Sequence, residues 1–247
     1  AHIFQQRAAD LCGILNGCDY KDWDPAFDEF LPATYSIDNM AGKQICKKHL
    51  QEEAGLAVAD LPIYGMVCRL TEQKGVPLLL PALEKFLHHQ VQVVIVGSGD
   101  PALATQLQTM AQQYPGKLAF INTYDDRLAH LVEAGADFFL MPSLFEPCGL
   151  NQMYSLAYGT LPLVRAVGGL KDTVVDWDAD PEHATGFCFN DPTASILLDT
   201  MRRSLLYFLQ DKERLAKVQH NAMSTRFNWP DSVTQYELMY QSALGRY

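Results

Sequence analysis

The amino-acid sequence predicts an α/β fold: a parallel sheet flanked by helices, with a helical C-terminal tail. Two observations carry this expectation. Short, almost wholly apolar runs recur between residues 63 and 164 and alternate with segments of helical periodicity, the pattern of βαβ units with right-handed crossovers. From Thr193 to Leu244 the pattern is almost entirely helical. Strands of a parallel sheet covered on both faces read as continuous hydrophobic stretches, as these runs do.

Taken in order, residues 1–11 predict a helical turn or two. Gly13-Ile-Leu-Asn-Gly17 predicts a short apolar strand ending in an Asn-Gly turn. Cys18 to Pro32 carries Trp23, Asp24, Pro25 and Phe27 and reads as an ordered loop. Asp38 is placed to cap a helix running through Glu53, with Gly55 as its stop. Strands are then expected at Ile63–Cys68, Val91–Val96, Leu118–Ile121 and Phe138–Met141. Helices follow them at Pro77–His88, Pro101–Tyr114, Asp126–Ala134 and Gln152–Tyr158. Leu161–Val164 and Gly186–Phe189 are further short strands, and Lys171–Asp176 a short helix. A last helix, Pro230–Leu244, puts Val233, Tyr236, Met239, Tyr240 and Leu244 on or near one face.

Composition narrows the function. The 247 residues carry a formal net charge of -10, which argues against a nucleic-acid binder but leaves room for a small anionic ligand in a locally basic cleft. Six scattered cysteines without a C-x-x-C pair read as free thiols in a reducing cytoplasm. No apolar run approaches the roughly 20 residues that span a bilayer, and no signal peptide is visible. Seven histidines show no metal-ligand spacing, so no metal and no other cofactor is expected. No phosphate-binding P-loop and no nucleophile elbow is present.

The candidate site lies in the turns after the strands. Ser143-Leu-Phe-Glu-Pro-Cys-Gly-Leu-Asn-Gln152 follows one apolar strand and leads into a helix, so Glu146 sits in a strand-to-helix turn where ligands of open α/β sheets bind. Arg69 and Lys74 flank an earlier such turn and suit a diphosphate, although two basic residues in a solvated loop read the same way. Gly97-Ser98-Gly99 is either a tight turn in which Asp100 caps the next helix or a backbone contact to ligand. Gly168-Gly169 ahead of a short helix forms a nest of amides for phosphate or a flexible turn. Tyr124 is a candidate ring for stacking on a base, or a structural tyrosine.

Arg69-Leu-Thr-Glu-Gln-Lys-Gly75, Phe145-Glu-Pro-Cys-Gly-Leu150, Tyr158-Gly-Thr-Leu-Pro-Leu-Val-Arg165 and Gly168-Gly-Leu-Lys-Asp-Thr-Val174 together resemble bacterial glycogen synthase and plant starch synthase. Asn16-Gly17 with Trp23-Asp24-Pro25 fits the same pattern, and the similarity runs along essentially the whole chain. The resemblance implies a retaining glycosyltransferase of GT-B type, in which two Rossmann-like domains face a cleft. It implies transfer of glucose from ADP-glucose to the non-reducing end of an α-1,4-glucan.

Carried onto this sequence, the resemblance has Arg69 and Lys74 hold the diphosphate and stabilise leaving ADP. Gly168, Gly169 and the amides of Leu150 and Asn151 add hydrogen bonds to phosphate or sugar. Tyr124 stacks on adenine, Ser98 and Gly99 line the nucleotide pocket, and Gly149 allows close backbone approach. Glu146 and Cys148 contact the glucosyl ring. Many members of the wider superfamily carry a second Glu eight residues after the first, where this chain has Tyr154. Glu146 is then the only acidic candidate in the turn, which disfavours a two-carboxylate mechanism.

The resemblance also implies a division into residues 1–12, the junction with an amino-terminal domain; 13–226, a Rossmann-like nucleotide-sugar domain; and 227–247, a crossover helix. On this reading the chain is a carboxyl-terminal half, expected to bind ADP or ADP-glucose weakly and to turn over little, with the glucan acceptor held mainly elsewhere. Its last helix would leave an apolar stripe open to self-association. A cytoplasmic location is expected, or a plastid for a plant source. Other readings are a UDP-sugar-dependent transferase of the same fold, a non-catalytic nucleotide-binding module and, more distantly, a dehydrogenase.

Overall fold

The computed structural model describes residues 2–245. Its centre is a six-stranded, all-parallel sheet in the order β3-β2-β1-β4-β5-β6. The strands are β1 (Ile63–Val67), β2 (Gln92–Val96), β3 (Leu118–Ile121), β4 (Phe138–Met141), β5 (Leu161–Arg165) and β6 (Phe187–Phe189). The helices are α1 (His2–Gln6), α2 (Ala41–Glu53), α3 (Val76–Phe86), α4 (Pro101–Gln113), α5 (Asp126–Gly135), α6 (Asn151–Ala157), α7 (Gly169–Thr173), α8 (Ala194–Gln210), α9 (Lys212–Ser224) and α10 (Trp229–Leu244).

Each face of the sheet buries one apolar cluster. Tyr64, Met66, Val93, Ile95, Phe138 and Leu140 point to the side covered by α3, α4 and α8, while Ile63, Val94, Val96, Phe139 and Met141 point to the side of α2 and α5. Burial on both faces explains why the strands lack polar alternation. Gly65 has no room for a side chain, since a Cβ there would stand 2.6 Å from Val132 Cγ1 of α5.

Strand order reverses at β1 and β4, which pair only through Tyr64–Phe138 and Gly65–Phe139. Their carboxyl ends then separate, and the Asn151 side chain enters the gap to donate to the Val67 carbonyl at 2.9 Å. Such a switch point opens a crevice at the ends of the strands.

Two sequence expectations need correction. Asp38 caps no helix: Ser36 and Asn39 close a tight turn, the Asn39 side chain accepts from Ala41 N at 3.2 Å, and α2 starts at Ala41. Residues 13–17 form no strand either. This segment lies against the start of α10, where Cys18 N donates to Phe227 O at 2.7 Å and Ser232 Oγ to Leu15 O at 2.7 Å. Its backbone meets the start of a helix instead of joining the sheet, a tertiary choice that local pattern does not encode. Capping is as expected at Asp100, which accepts from Ala102 N and Leu103 N at 2.7 and 3.2 Å.

Candidate active site

Two adjoining cavities open at the switch point. The first, about 390 Å³, is lined by the β1, β2 and β3 turns and by α5 and α6. The second, about 290 Å³, is lined by Asn16, the ends of β1 and β4, and the Ser143–Asn151 turn. Lys74, Leu150 and Asn151 line both.

The loop after β1 reaches the second cavity because it is fastened to the turn after β4. Leu144 N donates to Gln73 O at 2.8 Å and the Gln73 side chain donates to Phe145 O at 2.9 Å. Gly75, at φ 75°, passes so close that a Cβ would stand 2.0 Å from Pro142 O. This places Lys74 Nζ 2.5 Å from Glu146 Oε2, in an ion pair whose side chains are 21 % and 9 % exposed. Ser143 Oγ donates to the same carboxylate oxygen at 3.3 Å.

The glycine pair predicted as an amide nest supports the same turn. Gly169 N donates to the carbonyls of Glu146 and Pro147 at 3.1 and 3.2 Å. Added Cβ atoms would stand 2.1 Å from Glu146 O at Gly168 and 2.1 Å from Cys148 O at Gly169. Neither glycine is among the residues that line these two cavities; both let α7 press on the turn. Cys148 and Gly149 line the second cavity, and Cys148 Sγ accepts from Asn16 N at 3.4 Å.

In the first cavity the structure brings together Arg69, Lys74, Ser98 and Tyr124. Arg69 is exposed, and the Tyr124 ring is 84 % exposed. Gly99 lies outside the lining; Asp100 N bonds Leu70 O at 2.9 Å, so its glycine serves the approach of two loops. Burial pushes the Cys68 thiol up to about 12, against the lowering effect of Lys74, which keeps it protonated at neutral pH.

Several lining residues carried no site role in the sequence analysis. Trp23, from the 18–32 loop, stacks on Tyr154 at 4.1 Å and on His130 at 3.6 Å between ring centroids. His130 Nδ1 lies 2.8 Å from Asp28 Oδ2, which also accepts from Tyr158 Oη at 2.5 Å. Asp28 is desolvated, which raises its carboxyl, yet these hydrogen bonds and that of Phe30 N leave it below the ordinary range. Glu133 of α5 is 1 % exposed and lines the cavity. Burial holds its carboxyl well above the usual range, opposed by Ser155 and by the charge of Lys43. Lys43 Nζ in turn binds Ala134 O, Tyr158 O and Thr160 Oγ1 at 3.0, 3.0 and 2.6 Å, tying together the ends of α5 and α6. The available signal was a carboxyl inside the otherwise apolar run Leu131-Val-Glu-Ala-Gly-Ala136. The described residues contain no group of three or more His, Cys, Asp or Glu placed to hold a metal ion.

Lys74, paired with Glu146, thus stands on a loop where the two cavities meet. Residues 48–224 match the family model Glycosyl transferases group 1. The chain belongs to that family. It is 85 % identical over 246 residues to a glycogen synthase of Aeromonas salmonicida strain A449, and covers 51 % of that protein. A Vibrio cholerae O1 glycogen synthase is 57 % identical over 97 % of the chain, which covers 50 % of it. The chain thus spans about half the length of these curated relatives. Among solved structures, the catalytic domain of starch synthase IV from Arabidopsis thaliana, bound to ADP and acarbose, superposes with a TM-score of 0.92 at 33 % identity. That match covers 99 % of this chain and 51 % of the plant domain. The sheet and its helices are therefore the Rossmann-like carboxyl-terminal domain architecture of a GT-B transferase, as the resemblance implied.

Proposed function

We propose that these cavities are the donor side of a retaining glucosyltransferase, which passes glucose from ADP-glucose to the non-reducing end of an α-1,4-glucan. The observation that carries this is Lys74: it borders both cavities and meets Glu146 at 2.5 Å, so a diphosphate at the junction would send nucleotide one way and sugar the other. The identity to glycogen synthases and the likeness to an ADP-bound starch synthase domain support it.

In this reading Arg69, Lys74 and the amides of Leu150 and Asn151 take the diphosphate charge and stabilise leaving ADP, where preorganised donors act most strongly. These groups, rather than a metal ion or another cofactor, neutralise the phosphates. Ser98 faces the nucleotide and Tyr124 stacks on its base. Glu146 and Cys148 contact the glucosyl ring, and Gly168, Gly169 and Gly149 shape the turn that presents them. Among the described residues Glu146 is the single carboxylate lining the second cavity, so these residues do not supply a separate acid and nucleophile.

The acceptor surface is assigned to the part of the relatives that this chain does not span, and the 247 residues are expected to bind ADP with little turnover. Residues 13–226 would form the donor domain and 227–247 a crossover segment, on which exposed Val233, Leu238, Tyr240 and Leu244 favour self-association. Six free cysteines suit a reducing, cytoplasmic setting, and among the described residues no helix is long and apolar enough to cross a membrane.

Calorimetry with ADP on the chain and on Lys74→Ala tests the reading. Loss of a charge-assisted contact predicts roughly 10- to 100-fold weaker binding by the variant. Absence of ADP binding by the unmodified chain, or tighter binding of UDP, would overturn it.

A further inference from the structure

Glu133 is a buried carboxyl of the first cavity wall to which the proposed donor chemistry gives no task. Its Oε2 lies 2.6 Å from Ser155 Oγ, and Ser155 Oγ also lies 2.8 Å from the Asn151 carbonyl. A serine hydroxyl has one proton and here faces two acceptors. Both bonds form together when the proton of a neutral Glu133 carboxyl on Oε2 is donated to Ser155, which then donates to Asn151. Burial favours that neutral form. Oε1 is then a carbonyl oxygen, an acceptor only. It has no hydrogen-bond partner among the described residues, and it is absent from the sealed, partnerless atoms, which are Thr71 Oγ1, Gln152 Oε1, Trp177 Nε1 and Arg226 Nη1. It therefore opens on the cavity that Glu133 lines.

The acceptor selects what can sit before it. A phosphate oxygen at neutral pH has no proton to give, and a hydroxyl does. The position fits as well. Ser155 lies four residues, about one helical turn or 6 Å, along α6 from Asn151, which borders both cavities. Tyr124 stands among the residues contributed by the β3 turn. Between diphosphate and base, a nucleotide carries its ribose.

We propose that Glu133 is a nucleotide-recognition residue of this chain, its Oε1 accepting a hydrogen bond from a ribose hydroxyl of the donor. This rests on the donor-site reading above. The trade-off is the desolvated carboxyl, held in the wall where an apolar residue would pack without any polar partner to satisfy.

The test is calorimetry of ADP, 2′-deoxy-ADP and 3′-deoxy-ADP on the wild type, Glu133→Met and Glu133→Gln. The wild type is expected to bind one deoxy analogue about 10-fold more weakly than ADP, the effect of one buried hydrogen bond. Glu133→Met, similar in volume but without the acceptor, should bind ADP as weakly as the wild type binds that analogue and should not discriminate between them. Glu133→Gln keeps a carbonyl for the ribose and an N–H for Ser155, and should retain most of the discrimination. Should Glu133→Met not fold, Glu133→Ala is read in the same way. Equal binding of all three nucleotides by the wild type, or discrimination preserved in the Met or Ala variant, overturns the proposal while leaving the donor site standing. No ADP binding by the wild type removes the donor site itself.

Discussion

The two cavities share Lys74, yet they are built in different ways. The second is bordered by a turn held main chain to main chain: Ser143–Asn151 and the residues before it are clamped by Gly75, Gly168 and Gly169, whose absent side chains allow the close approach. The first is lined by residues from separate elements, with Trp23 stacked on both Tyr154 and His130, and with Glu133 and Tyr124 in the same lining. A backbone wall has fixed shape and tolerates no added atom, whereas a side-chain wall can be altered one group at a time. Variants on the two sides should therefore differ in kind.

The largest effect is expected for Gly169→Ala. Its Cβ would fall 2.1 Å from Cys148 O and 2.5 Å from Cys148 Cα, both main-chain atoms with no flexible end to give way. The helix α7 or the turn must move, and the Gly169 N–H bonds to Glu146 O and Pro147 O go with it. A loss of about 3 kcal/mol in unfolding free energy is expected, with ADP affinity falling as Glu146 and Lys74 lose register. A denaturation midpoint equal to wild type would show that the turn is softer than its contacts indicate, and the contrast between the cavities would fail.

A smaller, pH-dependent effect of opposite sign is expected for Glu133→Gln. Burial raises the folded-state pKa of Glu133, so the carboxyl stabilises the fold fully below its unfolded value near 4.5 and loses that contribution as pH rises toward the folded pKa. The amide has no such proton to lose. The variant should match the wild type near pH 4.5 and exceed it at pH 8 by on the order of 1 kcal/mol. Thermal melts at both pH values decide this, and an equal offset at the two would assign Glu133 an ordinary packing role.

This contrast also explains what the sequence disclosed. Backbone walls leave glycine, proline and turn residues in fixed spacing, so the Glu146 turn, the Lys74 loop and the strand-helix alternation could be read directly. Strands β3 and β4 lie at the residues expected of them, because buried apolar runs have few alternatives. The packing of Gly168 and Gly169 against the Glu146 and Cys148 carbonyls was harder to read, since spacing alone does not report which backbone a glycine approaches. Trp23 sits far in the chain from His130 and Glu133 of α5 and meets their helix only through tertiary packing, which periodicity does not report. For the same reason residues 13–17, apolar enough for a strand, became an extended segment against α10.

Tyr124 sets the other limit of the comparison. Its ring is 84 % exposed, so truncating it removes almost no packing, and Tyr124→Ala should leave the unfolding free energy within about 0.5 kcal/mol of wild type. If the ring stacks on the donor base, ADP affinity should nevertheless fall by about 1–2 kcal/mol, or roughly 5- to 30-fold, with the loss shared by any nucleotide whose base offers a π-face. Ribose 5-diphosphate, which lacks the base, separates the contributions: it should bind wild type and Tyr124→Ala alike while still responding to Lys74→Ala. A variant that weakens ribose 5-diphosphate as much as ADP would mean that Tyr124 shapes the cavity mouth instead of meeting the base, and the nucleotide side would then depend on its loops as the sugar side depends on its backbone.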